Sequence, residues 1–221
     1  MDITIRHEEV KDYYDVEEMT REAFWNLYRP GCDEHYTTHI IRSHPDYIRE
    51  LDYIAEINKQ IVGSIIYTKS KVYDESNNQL DTLTFGPLCV HPKYQRIGIG
   101  TKLIEYTKEI AIEKGYSAII ILGDPHNYCK HGFKNGRDYN ISTLDGRFPL
   151  GLLVLELENG VFMDKKWKFK ESDVYQIDQD KVEEYDKKFK IKEKKYQYSQ
   201  DLFSMLIRSY LEWIRRQLTI A

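Results

Sequence analysis

This sequence has few cysteines, no excess of positive charge and no long apolar run. Each of these features argues against a class of protein. The 221 residues include only three cysteines, Cys32, Cys89 and Cys129, an odd number without the paired spacing of a metal site. We therefore expect reduced thiols, no bound metal and a cytoplasmic protein. No apolar run approaches the roughly 18 residues of a membrane span. Residues 1–6 lack the basic start of a signal peptide, so we expect no membrane partner.

The charge balance also argues against a nucleic-acid partner. Lysine and arginine number 32 against 36 aspartate and glutamate residues, which gives a formal net charge of -4. Hydrophobic residues make up 41% of the chain and charged residues 31%, a composition too apolar for a disordered protein. The chain should therefore fold as one large domain, or as one domain with an appendage, and bind a small partner.

Apolar periodicity predicts an alternation of strands and helices along most of the chain. Strands are expected near residues 3–5, at 53–57 and 61–69 around a turn at 58–60, and at 80–90, 118–122 and 152–157. Helices are expected at 16–27, at 33–51 with a bend near Pro45, and at 101–114. Strands that form a meander and then alternate with helices predict a mixed α/β sandwich.

The last quarter of the chain has a different character. Charged residues dominate from Lys165 to Lys195, and such a run is usually a solvated face. From about Ser199 an amphipathic helix is predicted, which would pack on the domain or form a homodimer contact. Its apolar residues recur every three or four positions: Leu202, Phe203, Leu206, Ile207, Tyr210, Leu211, Ile214 and Leu218.

A glycine-containing loop lies between a predicted strand and a predicted helix. Glycines at positions 98 and 100 let the backbone turn tightly and approach a ligand closely. The free N–H groups and the dipole of the following helix start favour a pyrophosphate there. The spacing is neither a Walker motif nor a dinucleotide fingerprint, which argues against a kinase or a dehydrogenase. Taken alone, the same loop could also be a simple turn.

Two motifs resemble those of a known family. The segment 88–100 reads LCVHPKYQRIGIG and resembles the acetyl-CoA-binding signature of the GNAT superfamily of N-acetyltransferases. Downstream, Leu122-Gly123-Asp124-Pro125, Tyr128 and Gly132-Phe133 resemble one branch of prokaryotic acetyltransferases. The likeness extends from about residue 2 to 165. It implies a GNAT domain over residues 1–165, followed over residues 166–221 by the charged segment and the amphipathic helix.

The resemblance also implies a fold and a reaction. The fold would be α/β, with a mixed, mostly antiparallel central sheet flanked by helices and a C-terminal helical extension. The reaction would move an acetyl group from acetyl-CoA, the co-substrate, to a primary amine by direct attack within one ternary complex. The acceptor would be a small-molecule or peptide amine, which the fold does not identify.

Site residues follow from the same resemblance, position by position. Pantetheine would lie along the strand at Leu88, Cys89 and Val90. The pyrophosphate would lie on the loop formed by Gln95, Arg96, Ile97, Gly98, Ile99, Gly100 and Thr101. Tyr128, four residues before Gly132, would protonate the departing thiolate of CoA.

The general base departs from the pattern of the family, because the strand at 83–90 contains no carboxylate. Glu34 is the best substitute, with His35 as a proton relay, and His91 is the next candidate. The missing carboxylate is also consistent with a catalytically inactive CoA-binding protein that has a regulatory or interaction role. The presence of Tyr128 argues against that alternative.

Overall fold

The computed structural model describes residues 2–163 and 165–212, which form a nine-stranded mixed sheet with helices packed around it. The strands are β1 (Thr4–His7), β2 (Tyr53–Ile57), β3 (Gln60–Asp74), β4 (Gln79–Val90), β5 (Ala118–Leu122), β6 (Lys134–Asn135), β7 (Ile141–Thr143), β8 (Leu152–Glu156) and β9 (Trp167–Lys170). The α-helices are α1 (Tyr13–Phe24), α2 (Glu34–Ile41), α3 (Ile99–Glu113), α4 (Pro125–Tyr128), α5 (Gln179–Asp186) and α6 (Tyr198–Ile207). None of the helices in these two ranges is long and apolar enough to cross a membrane.

The sheet is mostly antiparallel, which confirms the predicted fold class. Its main path runs β1-β2-β3-β4-β5-β8-β6, and β9 pairs with both β3 and β7. Among the pairs, only β4 with β5 and β7 with β9 are parallel in the described chain. The tight turn between β2 and β3 places Asn58 and Lys59 at φ of 50° and 65°, which suits the right-handed twist of a two-residue hairpin.

Helix α3 packs on the central strands and fixes the end of β4 beside its own N-terminus. Ile99, Leu103 and Ile104 are buried in the main apolar core. Gly63 of β3 permits the close approach, because a Cβ there would lie only 2.8 Å from Cγ2 of Ile99. The first turn of α3 is therefore held against the sheet where β4 ends.

Strands β4 and β5 separate soon after they meet. Their parallel pairing is confined to Leu83 opposite Ile119. On the other edge of β4 the register with β3 jumps from Leu88 opposite Ile65 to Phe85 opposite Tyr67, so two residues of β4 stand opposite one of β3. Such a bulge bends a strand and increases its twist. The result is a gap between the C-terminal halves of β4 and β5.

The charged segment after residue 165 exposes most of its charged side chains, but several apolar residues between them are buried. Strand β9 pairs with residues 71–74 of β3 and buries Trp167 and Phe169. Further along, Val182, Tyr185 and Phe189 are also buried. The aromatic residues of β9 alternate with lysines, the pattern of a half-buried strand. The boundary at residue 165 stays a prediction, although β9 beyond it belongs to the same sheet.

The predicted C-terminal helix corresponds to α6, which begins at Tyr198, one residue before the expected start. Phe203 packs on the domain, whereas Leu202 and Ile207 are 58% and 53% exposed. Beyond the helix, Leu150 N–H donates to Ser209 O, so the chain after α6 contacts the segment just before β8. Ile214 and Leu218 lie outside the described residues, and the homodimer contact stays a prediction.

Candidate active site

A pocket of about 1060 Å³ lies in the gap between β4 and β5. At one end it is lined by the loop and helix start at residues 95–101, and in its middle by residues 85–90 and 121–124. At the other end lie residues of α1, α2, α4 and the C-terminal part of the chain. The gap in the sheet therefore connects the predicted pyrophosphate loop with Glu34, the predicted general base.

The edge of β4 that faces the pocket carries free backbone groups. His91 N–H donates to Val62 O of β3 at 2.9 Å, whereas Val90 O accepts from the Gln95 side-chain amide on the pocket side at 3.1 Å. Successive residues of a strand direct their N–H groups to opposite edges. The N–H groups of Leu88 and Val90 therefore point into the gap, where β5 does not pair with them.

The Cys89 side chain points away from the pocket. Its thiol is buried and lies 3.3 Å from Oγ1 of Thr20 and 3.2 Å from Oγ of Ser64. Burial raises the pKa of this thiol, so it stays protonated and unreactive at neutral pH. By the same alternation the backbone N–H of Cys89 is directed toward β3, so Leu88 and Val90 present the free N–H groups of this edge.

The loop after β4 forms a cradle of unpaired N–H groups. Arg96 and Gly98 adopt positive φ values of 63° and 91°, which turn the chain into α3. The first bonded amide of the helix is Lys102, which donates to Gly98 O at 3.0 Å. Within the described chain, the backbone N–H groups of residues 97–101 have no acceptor. Free amides at the start of a 15-residue helix form an anion site.

Tyr128 lies across the pocket from β4, at the end of the short helix α4. Asp124 caps this helix by accepting from His126 N–H at 2.9 Å, and Pro125 occupies its first position. Gly123 leaves room for the ring, because a Cβ there would lie 2.6 Å from Cε2 of Tyr128. The glycine, aspartate and proline of the motif thus position the tyrosine.

The surroundings of Tyr128 keep its hydroxyl protonated. The ring packs against Phe85 and Phe133, with centroids 5.7 and 5.8 Å away. Burial raises the pKa of Tyr128, and the nearby Tyr28 and Asp124 raise it further. No hydrogen bond to the hydroxyl is found among residues 2–163 and 165–212. Because its pKa is raised, the hydroxyl is protonated at neutral pH.

Glu34, the first residue of α2, lines the same pocket as Tyr128. Its carboxylate accepts the N–H of Asp33 at 3.2 Å. Burial raises the pKa of Glu34 to about 8, and the charge of Asp33 adds to the increase. A carboxyl that titrates near neutral pH can accept a proton during a reaction.

His35 and His91 do not meet Tyr128 in this pocket. His35 is fully buried on the side of α2 that faces away from the pocket. Its Nε2 lies 3.3 Å from Oδ1 of Asp186 without hydrogen-bond geometry, and its Nδ1 lies 3.4 Å from Sγ of Cys32. Burial lowers the pKa of His35 to about 4. The imidazole of His91 accepts from Lys93 N–H outside the pocket. Sequence adjacency to Glu34 therefore did not bring His35 to the site.

Tyr28 is a pocket residue that sequence reasoning missed. It lies in the loop after α1, just beyond the helix predicted over residues 16–27. Its ring stacks on Phe203 of α6 with centroids 4.3 Å apart. Burial raises the pKa of Tyr28 to about 12, with contributions from the charges of Glu34 and Asp124. Tyr28, Glu34, Asp124 and Tyr128 therefore share one electrostatic environment.

Comparison with known proteins finds a match over the part of the chain that contains β4, the loop at residues 95–101 and Tyr128. A family model described as an acetyltransferase (GNAT) domain matches residues 50–135. The chain is 31% identical over 106 residues to the uncharacterized N-acetyltransferase YhbS of Escherichia coli strain K12, covering 46% of this chain and 62% of that protein. It is also 27% identical over 176 residues to the probable hydrolase YhcX of Bacillus subtilis, covering 72% of this chain and 33% of that protein. The chain thus spans about a third to three fifths of the length of these relatives.

Solved structures show the same fold. The crystal structure of E. coli YhbS in complex with CoA matches with a TM-score of 0.67 at 20% identity, over 79% of this chain and 92% of that chain. A GNAT family acetyltransferase from Brucella melitensis in complex with acetyl-CoA matches with a TM-score of 0.62 at 21% identity, over 79% of this chain and 98% of that chain. Residues 50–135 are thus similar to a GNAT acetyltransferase domain, and the chain has the fold of these GNAT structures.

Proposed function

We propose that this protein transfers an acetyl group from acetyl-CoA to a primary amine, by direct attack of the amine within one ternary complex. The observation that carries the proposal is the continuity of the site. Unpaired N–H groups of Leu88 and Val90 lead directly to the free amides at residues 97–101, and Tyr128 lies across the same pocket. This arrangement supports a long ligand with amide groups at one end and phosphates at the other.

Each part of the site has a role in the proposed binding of acetyl-CoA. The pantetheine amides would pair with the edge of β4 as an added strand would, and the pyrophosphate would accept from the amides at the start of α3. The exposed side chain of Arg96 lies beside this cradle and adds positive charge. The thioester would then lie near Val90, whose N–H group can stabilise the oxyanion of a tetrahedral intermediate.

Proton transfers on both sides of the thioester complete the proposed reaction. Glu34 takes one proton from the acceptor ammonium, and the amine nitrogen attacks the thioester carbon, forming the C–N bond. The nitrogen, which is positively charged after the attack, then loses its second proton to solvent. The C–S bond breaks as Tyr128 donates its proton to the departing thiolate. Solvent then returns a proton to Tyr128 and removes the one held by Glu34. The products are the acetylated amine, CoA with a free thiol, and one released proton.

The raised pKa of Glu34 predicts a specific dependence of rate on pH. Below about 8 this carboxyl is mostly protonated and cannot accept a proton, so kcat/KM for the amine should rise about tenfold per pH unit and level off near pH 8. In Glu34→Gln, kcat/KM should be about 10²–10⁴-fold lower and should rise toward the amine pKa of about 10.4 instead. Initial rates at saturating acetyl-CoA between pH 6 and 10 measure both profiles.

Amine-dependent release of the CoA thiol tests the proposed function. Wild-type protein should release thiol from acetyl-CoA faster when a suitable primary amine is present, and mass spectrometry should find the amine heavier by one acetyl group. A panel should include alkylamines, polyamines, amino sugars, amino acids and peptides. If acetyl-CoA binds and none of these amines is acetylated, the inactive CoA-binding alternative is the better description.

A further inference from the structure

The end of the pocket beside Glu34, where the amine would bind, is called here the acceptor end. It is formed in part by residues far beyond the segment 50–135 that matches the GNAT domain. Phe203 of α6 lines the pocket and stacks on Tyr28 at 4.3 Å, with the two ring planes 26° apart. Tyr28 also contacts Phe24 of α1, with ring centroids 5.8 Å apart. The three rings form a continuous aromatic wall, which we define here as Phe24, Tyr28 and Phe203.

The wall is held in place by one buried side chain, Asn26. Its Oδ1 accepts the N–H groups of Gly31 at 2.9 Å and Lys195 at 3.0 Å, while its Nδ2 donates to Glu193 O at 3.0 Å. The Gln200 side chain donates in turn to Asn26 O at 3.0 Å. These bonds join the loop that carries Tyr28 to the segment that carries Phe203.

A second side-chain bond strengthens the junction at the start of α6. Ser199 Oγ donates to Leu27 O at 2.8 Å, one residue before Tyr28. Phe203 follows Ser199 by one helical turn and therefore lies on the same face of α6. The position of the aromatic wall is thus specified by polar contacts that do not depend on the Phe203 ring itself.

The acceptor end combines aromatic surface with acidic groups. The aromatic side chains are Phe24, Tyr28, Tyr128 and Phe203, and the carboxyl groups nearest to them belong to Glu34 and Asp124. The pocket is also lined by the polar side chains of Thr37, Asn127 and Gln179 and by Lys130 and His131, which follow Tyr128. Carboxylates attract an ammonium group, whereas aromatic faces bind apolar bodies and cations. A strongly hydrophilic acceptor would leave its hydroxyl groups unpaired against the rings.

We infer that the acceptor is a primary alkylamine with an apolar, ring-bearing body, and that Phe203 determines this specificity. This inference rests on the proposed acetyl transfer. The ammonium would face Glu34, near Tyr128, and the body would lie against the aromatic wall. Phe203 is a specificity residue in this account, and Asn26 positions it.

A comparison of three amines tests the inference. With 2-phenylethylamine, the wild-type KM should be about tenfold to hundredfold lower than with ethanolamine, the range expected for burying one aromatic side group. Spermidine, a hydrophilic polyamine, should also have a higher KM than 2-phenylethylamine. In Phe203→Ala, the KM for 2-phenylethylamine should rise about tenfold or more, while that for ethanolamine changes little. Leu202→Ala, a neighbour that is 58% exposed and outside the pocket, should leave all three values unchanged.

The outcomes separate this inference from the proposed function. If wild-type protein acetylates spermidine or ethanolamine as efficiently as 2-phenylethylamine, or if Phe203→Ala affects all three amines equally, the inferred specificity is wrong and acetyl transfer stands. If no amine increases thiol release, the proposed function itself fails. An unchanged Kd for acetyl-CoA in Phe203→Ala shows that the variant is folded. Should that variant not fold, Phe203→Leu, which keeps the apolar volume but removes the ring, provides the same comparison.

Discussion

Replacing Tyr128 with phenylalanine should lower kcat by about 10²–10⁴-fold while the Kd for acetyl-CoA stays within about twofold of wild type. The substitution keeps the ring that packs on Phe85 and Phe133 and removes only the hydroxyl. A loss of this size corresponds to about 3–5 kcal/mol of transition-state stabilisation. That is more than the roughly 0.5–1.5 kcal/mol expected for an ordinary hydrogen bond.

The comparison requires one acceptor amine and saturating acetyl-CoA, so that kcat reports the chemical step. The melting temperature of the variant should match that of wild type, because no hydrogen bond of the hydroxyl within the described ranges is lost. If Tyr128→Phe keeps more than about half of the wild-type kcat while chemistry limits the rate, Tyr128 is a packing residue and not the proton donor.

Gly98→Glu should abolish the stabilisation of the protein by acetyl-CoA. At a hundredfold excess over Kd, ligand binding adds about 2.7 kcal/mol, or roughly 5–10 °C in Tm for a domain of this size. The new carboxylate would lie beside the free amides at residues 97–101 and repel the phosphates. The Tm of wild type and variant, each with and without acetyl-CoA, gives the result.

Gly98→Ala is the matched control for this substitution. Both variants place a side chain at φ of 91°, which costs about 1–2 kcal/mol of backbone strain. A Cβ at this position meets no heavy atom within 4 Å, so alanine adds strain without a clash. Both variants should therefore melt lower than wild type without ligand, but only alanine should keep the shift with acetyl-CoA. Equal shifts in the two variants would show that the phosphates bind elsewhere.

The sequence was most informative where function depends on a contiguous segment. The loop at residues 95–101 needs glycines at defined positions and a helix start after them, and both features are local. Tyr128 likewise follows a glycine, an aspartate and a proline that set its place. The gap between β4 and β5 is not local in this sense, because it depends on a bulge at residues 86–87 and on where β5 ends.

The acceptor side was less predictable for two physical reasons. Glu34 and His35 are adjacent in sequence, but successive residues of a helix point about 100° apart. Glu34 therefore lines the pocket, whereas His35 is buried on another side of α2. Tyr28 and Phe203 meet only through tertiary folding. The many charged residues after residue 165 made β9 hard to predict. The alternation of Trp167 and Phe169 with lysines was nevertheless a usable signal for a strand.

Amide hydrogen exchange with and without acetyl-CoA tests the central claim most directly. Acetyl-CoA should slow exchange at Leu88, at Val90 and across residues 97–101, whose N–H groups face the pocket without an acceptor in the described chain. The exposed turn at residues 75–78, between β3 and β4, should exchange at an unchanged rate. If acetyl-CoA binds and these amides exchange as fast as before, the ligand does not occupy the gap between β4 and β5, and the account is contradicted.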